Sequence, residues 1–375
     1  MVIIMRNFTK ILCVVLALVV ALSAASCSLS KQYAYTSDDG DLPIGLYIYY
    51  LRQAYNEAED YAQKDTEKYD AEKGTYDGSK SFLKMEITDD DGKTAVAEDW
   101  IKEKAAENMN EAIAVYYQYN QLGCTMDEAL LETDRKTYKD AWDNGYSYYG
   151  NSMPALSETY EPFGIGLDAL FFADVEIPMM KTSVFDATYK DVTDDELKKF
   201  YEENYTSYHY FSMDLYTTST DANNTTSYES VSDAQITAYT AAFDGYAAAI
   251  NGGESTFSEQ FEAFKTAYNS DATATENKAK LDSDTDLNKA ILALKDGEAK
   301  QVIIGENDNA RKIYLIYKEA IAGTTEAYFE ESSSRDSVLS VMKEDEFEEL
   351  LKKIAAEIDG MSSACKSYKP SMFES

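Results

Sequence analysis

Histidine is nearly missing from this chain: His209 is the only one in 375 residues. A serine or cysteine hydrolase of the usual kind would have to build on that single imidazole, and no Ser-His-Asp or Cys-His pattern surrounds it. Cysteine is scarce too, four in all, with Cys13 in the leader and Cys27 directly after it. That leaves Cys124 and Cys365, far apart and without metal-ligand spacing. No zinc site or disulfide framework follows, and a single exported disulfide and two free thiols both remain open. Basic residues are half as common as acidic ones, 34 against 68, for a formal net charge of −34. Such a surface repels nucleic acid and anionic lipid headgroups, so no nucleic-acid partner is expected. No glycine-rich phosphate loop occurs, and no cofactor or metal is expected. "DSDTDLNKAILA" opens like a calcium loop at Asp282, Asp284 and Asp286. Leu287 stands where the turn glycine belongs and Ala293 where the bidentate glutamate belongs, so it reads as a solvated turn and helix cap.

What is present begins with the leader. Arg6 and Lys10 precede "ILCVVLALVVALSAA", an apolar run shorter than the roughly 20 residues that span a bilayer. "AASC" follows, with small residues before Cys27, although Ala24 stands where leucine is commoner. The pattern resembles a bacterial lipoprotein signal, cut before Cys27, whose thiol is then lipidated. An uncleaved anchor and a plain secretory signal are the alternatives. In each case the rest of the chain works outside the cytoplasm. A hydrophobic content of 45% argues against general disorder.

Helix signals organise the rest. After a polar tether, Ser28 to Asp41, Leu46, Tyr49, Tyr50 and Ala54 recur at helical spacing. The stretch from Lys64 to Lys93 reads as a loop or weak insertion. Trp100, Ile101, Ala105, Met109, Ala112 and Ile113 share one helical face, and Gly123 ends that helix. Thr125 with Glu128 and Thr193 with Glu196 have capping-box spacing. Pro178 implies a kink or break in the helical run from Phe163. At "YHYFSMDLY" the period changes to that of a strand. A polar loop is expected from Thr217 to Ser230. Two capped helices follow, at Ser232/Gln235 and Thr256/Glu259, then a short helix, then "KQVIIGENDNARKIYLIYKEA" as two strands around a turn. Val338, Val341, Phe347, Leu351, Ile354 and Ile358 line a final amphipathic helix, expected to dock on the N-terminal helices.

This order resembles the PrsA and SurA class of extracytoplasmic foldases. The segments that carry the likeness are "DVTDDELKKFYEENY", "INGGESTFSEQFEAFKTAYNSD", "AILALKDGEAKQVI" and "NEAIAVYYQYNQLGCTMDEA". The resemblance implies a mainly α fold with an α+β insert. A helical chaperone domain would form from the N- and C-terminal segments, with a parvulin-like domain inserted between them. The expected divisions are a signal peptide over 1–26, a tether over 27–42 and the chaperone domain over 43–206. A parvulin-like domain, expected to be degenerate, follows over 207–322, then the C-terminal helix over 323–375. The implied function is a membrane-anchored chaperone whose partners are unfolded exported polypeptides. An active peptidyl-prolyl isomerase and a non-catalytic surface-binding lipoprotein are the alternatives. The 31 tyrosines are candidates for a client cradle, since each joins an apolar face to a polar tip.

Active parvulins, by the same resemblance, use two histidines, one at the end of the first strand and one in the last, with a Cys or Asp between them. Here the first would fall near Met213 and Asp214, and the last strand offers Arg311 and Lys312. His209 lies a few residues early. The expectation is a half-buried strand histidine with a hydrogen-bond partner, and His209 is also the single candidate for a catalytic group.

Overall fold

The computed structural model describes residues 33–220, 226–305, 311–358 and 360–374. Cys27 and the leader lie outside the described residues. The chain divides into two compact units. One runs to Asp191 and resumes at Asp345; the other is Val192–Glu344. No helix among the described residues is long and apolar enough to cross a membrane.

The first unit is built on helices α1 (Ile44–Gln63) and α2 (Ala97–Leu122), packed together. Alanines at 54, 58 and 62 are fully buried on one stripe of α1, and their small side chains allow close approach. The six α2 residues read as one face are all buried. Gly123 ends α2 at φ +63, a left-handed C-cap that suits glycine. Helix α3 (Glu128–Asn144) starts with Asp127 as its cap, accepting from the Ala129 and Leu130 amides, rather than with the expected Thr125 box. Asp127 sits one residue before the first helical turn, where a carboxylate also faces the positive helix end. The helical run through Pro178 does not break. Helix Leu167–Phe171 passes through a π-helical turn, Phe172–Glu176, into α4 (Ile177–Tyr189), which starts with Pro178 in its first turn.

Two further sequence expectations fail in this unit. Tyr33–Ser37 and Gly40–Pro43 form a hairpin where a polar tether was expected, because Ala34, Tyr35 and Leu42 are buried. Residues 64–93, expected as a loop or weak insertion, hold short strands around the buried Tyr69, Phe82, Leu83 and Ile87, the last of them pairing with Thr94–Val96. Cys124 and Cys365 are both free thiols.

In the second unit, capping boxes open α5 (Asp194–Asn204), α6 (Asp233–Asn251) and α7 (Phe257–Ala267), as the spacing requires. Strand β1 (Thr206–Asp214) follows α5. It is central in a four-stranded antiparallel sheet with β2 (Thr275–Ala279), β3 (Ala299–Ile304) and β4 (Lys312–Glu319), in the order β2-β1-β4-β3. Strand β2 was not expected: "TENKA" is polar and edge-placed, so it carries no hydrophobic alternation. The loop expected from Thr217 to Ser230 is a hairpin, Tyr216–Thr220 with Thr226–Ser230. On one sheet face Phe211, Ile313 and Leu315 meet Phe243 of α6 and Phe264 of α7. On the other, Tyr208 and Ile316 cover Ile291 of α8 (Asp286–Leu292). Helix α9 (Ser332–Glu357) gives its residues through Glu344 to this unit and the rest to the first. There Phe347 meets Phe185 of α4 edge-on, with ring centres 5.2 Å apart.

Candidate functional site

Period-two alternation decides what His209 faces. It shares the face of Phe211 and Met213, the side covered by α6 and α7, and it lies beyond the end of the aromatic core. Its cross-strand partners are Glu276 on β2 and Tyr317 on β4. Nε2 lies 3.4 Å from Glu319 Oε2, and Nδ1 lies 3.8 Å from Glu276 Oε2. The same Glu319 oxygen accepts a 2.8 Å hydrogen bond from the buried Ser207 hydroxyl. The imidazole is thus held between two carboxylates from the neighbouring strands. Phe257 and Tyr317 flank its ring at 5.3 and 5.8 Å.

Beside this cluster opens a cavity of about 490 Å³. Ile250, Phe257, Phe261 and Tyr317 give it apolar walls, and Ser255, Thr256, Ser258 and the two glutamates give it a polar rim. Its volume falls in the ordinary range for small-ligand pockets. The Thr256 capping box, which starts α7, also fixes Phe257 at the cavity wall. An apolar side chain or ring fits such a site, with the imidazole and carboxylates available to a neighbouring peptide group.

The other sequence candidates lie elsewhere. Met213 and Asp214 are at the far end of β1, and Asp214 pairs with Lys312 at 3.0 Å, which holds the ammonium above its usual pKa. Asp282 accepts from the Asp284 amide and the Asn288 side chain, a turn-and-cap arrangement, and Asp286 pairs with Lys289. Among the described residues no group of three or more His, Cys, Asp or Glu could hold a metal ion. Sequence reading missed Ser207, Glu276, Tyr317 and Glu319. For the last two the signal was present: they continue the inward alternation of Ile313 and Leu315.

No family model matches the sequence, and no curated protein does. Among solved structures, a 3.10 Å crystal structure of the foldase protein PrsA from Lactococcus lactis is similar at 12% identity, over 72% of this chain and 88% of that one, with a TM-score of 0.30. At that score the two chains share no demonstrated fold.

Proposed function

We propose that this chain is a lipid-anchored extracytoplasmic chaperone that holds unfolded exported polypeptides, with residues 207–322 serving as a binding module. The observation that carries this reading is the open, aromatic-walled cavity beside His209. A holder must bury client side chains briefly and release them, and an open pocket with apolar walls and a polar rim suits that exchange. The strongly acidic exterior keeps loaded complexes soluble and apart. The test is light scattering of a denatured client with wild type and Phe257→Ala. Wild type slows aggregation, and Phe257→Ala, checked for native circular dichroism, slows it at least threefold less. Equal protection by the two removes the cavity from the function.

One observation favours a second reading, prolyl isomerisation: an imidazole between two carboxylates borders a pocket that admits an apolar ring. Against it stands the residue count. The barrier to be lowered is about 18–20 kcal/mol, and the two-histidine site of the resembled family cannot be built from one histidine. The His209→Ala variant separates the readings.

A further inference from the structure

Among the described residues, a strand edge with no charge to guard it belongs to an aromatic hairpin in the first unit. Strands Tyr146–Tyr148 and Asn151–Met153 pair only with each other, and all six residues are exposed. Tyr146, Tyr148 and Tyr149 are 42, 57 and 88% exposed, against the usual burial of large rings. The hairpin is nonetheless firmly seated. Trp142, at its base, is buried, and its carbonyl accepts from Ser157 Oγ at 2.8 Å. Gly145 enters at φ +80, where a Cβ would lie 2.3 Å from the Met153 carbonyl oxygen. At the tip, Tyr149 and Gly150 have φ of +48 and +81, the positive pair that a type I′ turn requires. Asparagine is the usual residue at the first of these positions, so a tyrosine there is disfavoured locally. It presents the most exposed of the three rings.

Exposed two-stranded edges invite further pairing, and proteins ordinarily guard them with charge or proline. The other isolated hairpins among the described residues follow that rule, with Asp41, Glu86 and Glu229 in their strands, and Lys80 guards the small sheet over 69–81. Here no charged residue occurs from Asn144 to Ser157, in a chain that is 27% charged. From Asn144 to Ser152 the residues are Tyr, Ser, Asn and Gly alone, which joins rigid aromatic area to adaptable hydrogen bonding, and Pro154 follows the second strand without lying in it.

We propose that this hairpin docks an extended, uncharged segment of a partly unfolded polypeptide, which adds to a bare strand edge while its side chains lie against the tyrosines. The charge-free window argues for this occupant. An acidic client segment is repelled by the rest of the surface, and an uncharged one pays no carboxylate desolvation here. The inference rests on the holding function proposed above and adds a second contact, distinct from the His209 cavity.

The test uses the full chain and a reduced, S-alkylated polypeptide, with affinity read by fluorescence anisotropy. Tyr148→Ser with Tyr149→Asn removes two rings and keeps a residue suited to the left-handed turn. Ser147→Lys with Ser152→Glu places an opposite-charge pair on directly facing residues, which preserves the hairpin and guards its edges. Each double variant is expected to bind at least fivefold more weakly than wild type. Wild-type affinity in either one overturns the assignment and leaves the holding function standing. Absence of binding by the wild type overturns both. A concentration-dependent dimer in sedimentation, abolished by either variant, also overturns it, because the occupant is then a second copy of this chain.

Discussion

At the scale of single residues, His209 shows how burial and partners compete with chemistry. Its side chain is 16% exposed, and carboxylates approach both ring nitrogens. A histidine so held can serve as a strand residue that ties β2 and β4 to β1, and that is its expected role. His209→Ala is therefore expected to change aggregation suppression little, and less than Phe257→Ala does, and to alter no prolyl exchange rate, measured by NMR on a proline peptide. The reasoning is quantitative: each tenfold in rate is about 1.36 kcal/mol of barrier. A site lacking one imidazole of a pair forfeits a few such factors. Clear isomerase activity in wild type that disappears in His209→Ala would promote the enzyme reading and demote the holder.

At the scale of elements, the capping box at Thr256 links local sequence to the cavity. Thr256 Oγ1 accepts from the Glu259 amide at 3.2 Å, and Glu259 accepts from the Thr256 amide at 2.8 Å. Donors to the Glu259 carboxylate hold it below its usual pKa, the Thr256 amide first and then the Ser255 and Thr256 hydroxyls. A depressed carboxylate pKa contributes stability that is present above the unfolded value and lost as pH falls through the folded one. The cap is thus expected to weaken on acidification. Thr256→Ala is expected to cost about 1 kcal/mol, read as a lower urea midpoint for the second unit, with looser client binding because Phe257 begins the same helix. An unchanged midpoint would show that α7 is held by its Phe264 contacts alone. Elements of this kind were legible in the sequence because a box has fixed spacing: Thr193, Ser232 and Thr256 all cap as read. Strand β1 was legible for its dense β-formers. Strand β2 was not, since its pairing comes from β1 and not from its own pattern. The cavity was half legible: the Thr256/Glu259 box opens a helix whose spacing puts Phe257 and Phe261 on one face, but Glu276 on the unread strand could not be placed beside His209.

At the scale of the whole molecule, charge and anchorage constrain one another. A chain with formal charge −34 is on balance repelled by an anionic leaflet. Removal of Arg6 and Lys10 with the leader would make it more acidic still. The proposed membrane attachment then rests on apolar matter, either the leader run itself or acyl chains on Cys27. One acyl chain gives only marginal, reversible binding, at about 0.8 kcal/mol per buried CH₂, and two or more give stable anchorage. The lipoprotein proposal therefore requires multiple acylation at Cys27. Expressed in bacteria, wild type is expected in the detergent phase, with a mass matching a chain that begins at Cys27 plus its acyl groups. Cys27→Ala is expected to lose that processing, since both cleavage and acylation act at the cysteine, and to carry the mass of the uncut leader. Equal mass and equal partitioning of the two proteins would instead assign the anchor to the apolar run from Ile11 to Ala25.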